Sequence, residues 1–126
     1  MEERRITVLL CDDHKGFRTL LRYTVEEDPR LEVVGEACDG RSGIRAVAEL
    51  RPDVLLLDIS MPSLDGLEAI AEIRELAPRT RIVALSGFEA ERMAEPALAA
   101  GADAYVEKGG EPAALRSAIR AAAAGR

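Results

Sequence analysis

Four short, largely apolar runs in this chain each lead to a polar residue, and that repeat limits the folds open to it more than any other feature. Ile6-Thr7-Val8-Leu9-Leu10 leads to Asp12 and Asp13, and Val54-Leu55-Leu56-Leu57 to Asp58. Ile82-Val83-Ala84-Leu85 leads to Ser86, and Ala104-Tyr105-Val106 to Lys108. Runs this short and continuous read as strands buried on both faces, the pattern of a parallel sheet. Ligands of open parallel sheets bind outside the carboxyl ends of the strands. Three acids, a hydroxyl and an ammonium would then gather at one edge. Three carboxylates in one cleft repel one another and favour a divalent cation. A hydroxyl and an ammonium beside them suit a phosphoryl group. The expected chemistry is metal-assisted acceptance of a phosphoryl group.

Helical periodicity fills the gaps between the runs. Phe17, Leu20, Leu21, Thr24 and Val25 recur at three- and four-residue steps, one face of an amphipathic helix that ends near Asp28-Pro29. Leu31-Glu32-Val33-Val34-Gly35 alternates weakly and suits an outer strand. Asp39-Gly40 opens a second helix carrying Ile44, Val47 and Ala48. Leu67, Ile70, Ile73 and Ala77 mark a third, stopped at Pro78. Glu91 to Ala100 is a fourth, with Gly101 as its stop. Pro96 inside it is expected to kink or restart the helix. Leu115, Ala118, Ile119 and Ala122 mark the last, with Pro112 near its first turn. Five strands alternating with five helices and joined by short loops predict a parallel sheet covered on both faces. The flavodoxin-like, doubly wound order 2-1-3-4-5 is a common solution for five strands. Its switch point falls between the strands that end at Asp12-Asp13 and at Asp58.

The 126 residues suit one domain, with no linker, repeat or low-complexity block. Seventeen Lys and Arg against 23 Asp and Glu give a net charge of −6. That balance disfavours direct nucleic-acid binding, which depends on neutralising phosphates. There is no transmembrane span and no signal-peptide core, so a cytoplasmic location is expected. Cys11 and Cys38 read as small apolar fillers in a reducing compartment.

Within the cleft each residue has a role that its chemistry fits. Asp12 and Asp13, with Asp58, form the carboxylate set that holds Mg²⁺ or Mn²⁺. Asp58 is also the nucleophile, since carboxylates form aspartyl phosphates. Pro62 and Gly66 shape the loop after it, which can present the Ser60 carbonyl to the metal. Lys108 can neutralise a transferring phosphoryl group, and Ser86 can bond one of its oxygens. His14 reads as a loop residue beside the site, and Phe88 as a border of the cleft.

Taken together, Asp12-Asp13, Leu57-Asp58-Ile59-Ser60-Met61-Pro62 with Asp65-Gly66, Ser86-Gly87, and Tyr105 followed by Lys108 resemble the receiver domain of two-component response regulators. The resemblance runs from residue 5 to about 124. It implies that Asp58 is the phospho-acceptor, and that Asp12, Asp13 and the Ser60 carbonyl bind metal. Ser86 is then the switch hydroxyl, Tyr105 the switch aromatic, and Lys108 the lysine typical of the family. It also implies a sensor histidine kinase as phosphodonor. An effector, or a second copy on phosphorylation, would meet a face built from the fourth helix, fifth strand and fifth helix. The start Asp12-Asp13-His14 is similar to the subfamily usually followed by a C-terminal helix-turn-helix, so a fragment of a DNA-binding regulator is an alternative. The family commonly has proline after the lysine, whereas Gly109-Gly110 follows Lys108 here. A non-proline cis bond costs about 2.5–4 kcal/mol, so Lys108–Gly109 is expected to be trans. A phosphatase of the haloacid dehalogenase type would want a second aspartate where Ser60 stands. A flavodoxin-like cofactor protein would want a phosphate loop where Asp12-Asp13 stand.

Overall fold

Successive residues of each apolar run face opposite sides of the sheet, and each side has its own helices. The structure, a computed structural model, describes residues 4–60, 66–87 and 90–125. The elements are β1 (Ile6–Cys11), α1 (Lys15–Glu26), β2 (Leu31–Ala37), α2 (Gly40–Leu50) and β3 (Val54–Asp58). They continue as α3 (Gly66–Leu76), β4 (Arg81–Ser86), α4 (Ala90–Ala100), β5 (Ala104–Glu107) and α5 (Pro112–Ala124). The sheet is parallel in the order β2-β1-β3-β4-β5, as the sequence suggested. Leu9, Cys11, Leu55, Leu57, Ile82 and Ala84 pack on one side with residues of α2, α3 and α4. Val8, Leu10, Val54, Leu56, Val83 and Leu85 pack on the other with α1 and α5.

β3 and β4 are buried throughout or nearly so, and β1 over its second half, but β5 is half-buried. It lies at the sheet's edge, where only one neighbour covers it, so the expectation of full burial for Ala104-Tyr105-Val106 is corrected. In α1 the apolar face is narrower than its spacing implied. Leu21 and Val25 are buried, whereas Leu20 is 57% exposed. In α2, Ala48 is exposed while Gly40 and Gly43 are buried beside Val47. Cys11 fills the core as expected; burial pushes its thiol up to about 12. Cys38 does not, because it sits exposed in the β2–α2 loop.

The helix ends follow local chemistry. Asp39 caps α2 and forms a reciprocal capping box with Ser42. Pro112 begins α5 within its first turn. Gly101 follows α4 at φ +125°, a conformation that favours glycine. The helix α4 runs on through Pro96 rather than restarting there. Gly66 opens α3 so close to Ile59 that a Cβ would lie 2.6 Å from the Ile59 Cα. That approach sets the start of α3 against the residue that follows Asp58. Met61 to Asp65, including Pro62, lie outside the described residues, as does Phe88.

Candidate phosphorylation site

The register brings the expected residues to one place. Cys11 pairs with Leu57, so the residues that follow, Asp12 and Asp58, end adjacent strands. Asp58 pairs with Leu85, one residue before Ser86, and Ser86 pairs with Glu107, one residue before Lys108. Asp12 and Asp58 are almost fully buried, Ser86 is buried, and Asp13 is exposed. Each of the three aspartates offers an oxygen within 4.8 Å of the others. Such a group of hard oxygen donors, open to solvent through Asp13, fits Mg²⁺ or Mn²⁺.

Asp12 Oδ1 accepts from the His14 amide at 2.8 Å. Asp12 Oδ2 is buried and makes no hydrogen bond among the described residues. The Lys108 ammonium lies 2.9 Å from it as an ion pair without hydrogen-bond alignment. The same ammonium donates to Asp58 Oδ2 at 3.2 Å. Burial alone would pull Lys108 down, but its contacts with Asp12 and Asp58 outweigh that and hold it above the ordinary lysine value. Lys108–Gly109 is trans, as expected, and the lysine still reaches both acids.

Sequence reading missed several contacts. The Ser60 hydroxyl donates to Asp58 Oδ1 at 2.6 Å, and the Ser60 amide at 2.9 Å. The sequence points to the Ser60 carbonyl rather than to its hydroxyl or amide, yet a serine two residues after an acid can close a local turn of this kind. His14 is the N-cap of α1, its Nδ1 accepting from the Phe17 amide at 3.3 Å. Arg18 donates to the Asp12 carbonyl at 2.7 Å and to Glu36 at 2.9 Å, which pins the loop carrying the acids. The Phe17 ring lies under the Lys108 ammonium, 4.5 Å from centroid to nitrogen. Tyr105 packs against the core on the α4 side, and its buried hydroxyl has no hydrogen-bond partner among the described residues.

This arrangement holds one carboxylate, that of Asp58, between hydroxyl and ammonium donors and beside two further acids. That is the inventory for nucleophilic attack on a phosphoryl group with charge compensation.

Comparison with known proteins agrees. A family model described as "Response regulator receiver domain" matches residues 8–120. The chain is 43% identical to the transcriptional regulatory protein LiaR of Bacillus subtilis, over 95% of this chain and 57% of that protein. It is 42% identical to the nitrate/nitrite response regulator protein NarL of Escherichia coli K12, over 94% of this chain and 55% of that protein. The chain thus spans a little over half the length of these relatives. The solved signal receiver domain of the putative response regulator NarL from Mycobacterium tuberculosis superposes with a TM-score of 0.92 at 30% identity. That match covers 98% of this chain and all of the other.

Proposed function

The chain belongs to the response regulator receiver domain family of two-component systems, and from that premise we propose that Asp58 is its phospho-acceptor. The observation that carries this is the buried Asp58 carboxylate at the end of β3, with Lys108 at 3.2 Å and Asp12 and Asp13 beside it. The donor is a phosphohistidine of a sensor histidine kinase. An Asp58 oxygen attacks phosphorus in line; the P–O bond forms as the P–N bond breaks, and the imidazole leaves with that electron pair. Lys108 stabilises charge on the transferring group, and Ser86 then binds one of its oxygens. Asp12, Asp13, Asp58 and the Ser60 carbonyl hold Mg²⁺ or Mn²⁺, which when bound supplies further charge neutralisation on phosphoryl oxygens.

Residues 1–126 act as one cytoplasmic receiver domain. It assists its own phosphorylation and the later hydrolysis of its phosphoaspartate, but turns over no separate substrate. Among the described residues no helix is long and apolar enough to cross a membrane. After transfer, Ser86 draws toward the phosphoryl group and Tyr105 follows. The unsatisfied Tyr105 hydroxyl supports this, since no hydrogen bond among the described residues holds it in place. The result is a population shift in the face formed by α4, β5 and α5, where an effector or a second copy binds. The relatives' names describe transcriptional and response regulators, so the proposed output is control of DNA binding by another domain or partner. The acidic receiver itself does not contact DNA.

Intact mass after incubation with acetyl phosphate and Mg²⁺ tests the acceptor. One added phosphoryl group is expected on the parent and none on Asp58→Asn. Equal, rapid labelling of both would overturn the assignment.

A further inference from the structure

Lys108 is followed by Gly109 and Gly110, the residues that restrain a backbone least. A Cβ built at Gly109 would meet nothing within 4 Å, so the loop gains no packing there. The Lys108 amide donates to the Ser86 carbonyl at 2.9 Å, which anchors the backbone but leaves the long side chain to be held by what it touches. Asp12 and Asp58 draw it from one side, at 2.9 and 3.2 Å. The Phe17 ring takes another, with its centroid 4.5 Å from Nζ, within cation–π range. The ring stands on a fixed turn. Its amide is capped by His14, and the next residue, Arg18, is clamped to the Asp12 carbonyl and to Glu36.

We propose that Phe17 is a positioning residue for phosphoryl transfer, its ring holding the Lys108 ammonium in place against Asp58. This rests on the roles given above to Asp58 and Lys108. An aliphatic residue at position 17 would keep the helix and its apolar contacts but lose the ring's attraction for the ammonium.

The test is a double-mutant cycle on initial rates of phosphorylation by acetyl phosphate with saturating Mg²⁺. Phe17→Leu should be roughly three- to tenfold slower than the parent, and Phe17→Tyr should restore the rate to within about twofold. Mg²⁺ affinity should stay within about twofold in both, since the ring acts on the Lys108 ammonium, which is not a proposed metal ligand. In a Lys108→Ala background, Phe17→Leu should cost nothing further. Phe17→Met, also ring-free, repeats the test if Phe17→Leu melts early. An unchanged rate in the ring-free variants, or an equal loss with and without Lys108, would overturn the role of Phe17. A Lys108→Ala rate equal to the parent's would instead overturn the reading of Lys108 on which it rests.

Discussion

Aspartates stand at both ends of the sheet, and the two groups keep different company. At the amino ends of β2, β3 and β5, each meets cations or amides. Asp28 accepts from Arg30 and Arg120, Asp53 from Arg4 and Thr7, and Asp103 from Arg74 and the Ile82 amide. At the carboxyl ends, Asp12, Asp13 and Asp58 crowd one another within 4.8 Å, and Lys108 bridges Asp12 and Asp58. The first group ties helices and strands together. The second is left short of positive charge, which a cation and then a phosphoryl group can exploit. Like residues thus do opposite work, and strand direction separates them.

Exchanging the test between the two ends should give the largest contrast. Asp58→Asn should abolish labelling by acetyl phosphate, while Asp53→Asn should label at close to the parent's rate. Asp53 is bonded to Arg4 and to the Thr7 amide and hydroxyl, at the far end of β3 from the cleft. Strongly slowed labelling in a folded Asp53→Asn would break the division between the two ends.

The next effect is on stability. Asp28→Ala removes a buried carboxylate that accepts from the Arg30 amide and guanidinium and from Arg120 on α5. A loss of about 2–3 kcal/mol in urea unfolding is expected, the scale of hydrogen bonds to a charged group. Mg²⁺ affinity should not change. Full stability in this variant would mean that the arginine pairing at this end is decorative.

Acid should read the same difference. Hydrogen bonds from Arg30, and then from Arg120, hold the Asp28 carboxyl at about 2, below its ordinary 3.8. The folded state therefore binds this proton less readily than the unfolded chain. The contribution is present above about pH 4 and is lost as pH falls toward 2. Asp28→Asn should flatten that part of the stability curve. An acid limb of unchanged slope would show that the arginines do not hold the proton off.

Strand runs, strand order and the cleft residues were legible because each is written locally or follows from a topological rule. Asp12, Asp13, Asp58, Ser86 and Lys108 meet where the apolar runs said they would. The arginine partners were not legible. Arg120 and Asp28 lie 92 residues apart, and no periodicity links them. The three-four spacing that puts Leu20 on the apolar face of α1 gives the direction of a face but not its width. The Phe17–Lys108 contact joins a helix start to a loop after β5. Spacing assigns Phe17 to the apolar face of α1 and Lys108 to the cleft, and nothing in it sets one against the other.

The smallest effect, and the finest test of crowding, is Asp13→Ala. Asp13 is the exposed member of the carboxylate group, so water screens much of its repulsion on Asp12 and Asp58. Without divalent metal the variant should be more stable than the parent by about 0.5–1 kcal/mol, the size of exposed charge interactions. Because the effect is electrostatic, it should shrink as salt rises toward about 1 M, where the screening length is roughly 3 Å. Adding Mg²⁺ should then reverse the order, since the parent gains binding energy that the variant has lost. Thermal melts in chelator and in Mg²⁺, each at low and high salt, measure all three terms. A variant that is less stable in chelator would show that Asp13 is already compensated within the fold. The carboxyl end of the sheet would then differ from the amino end in geometry but not in charge balance.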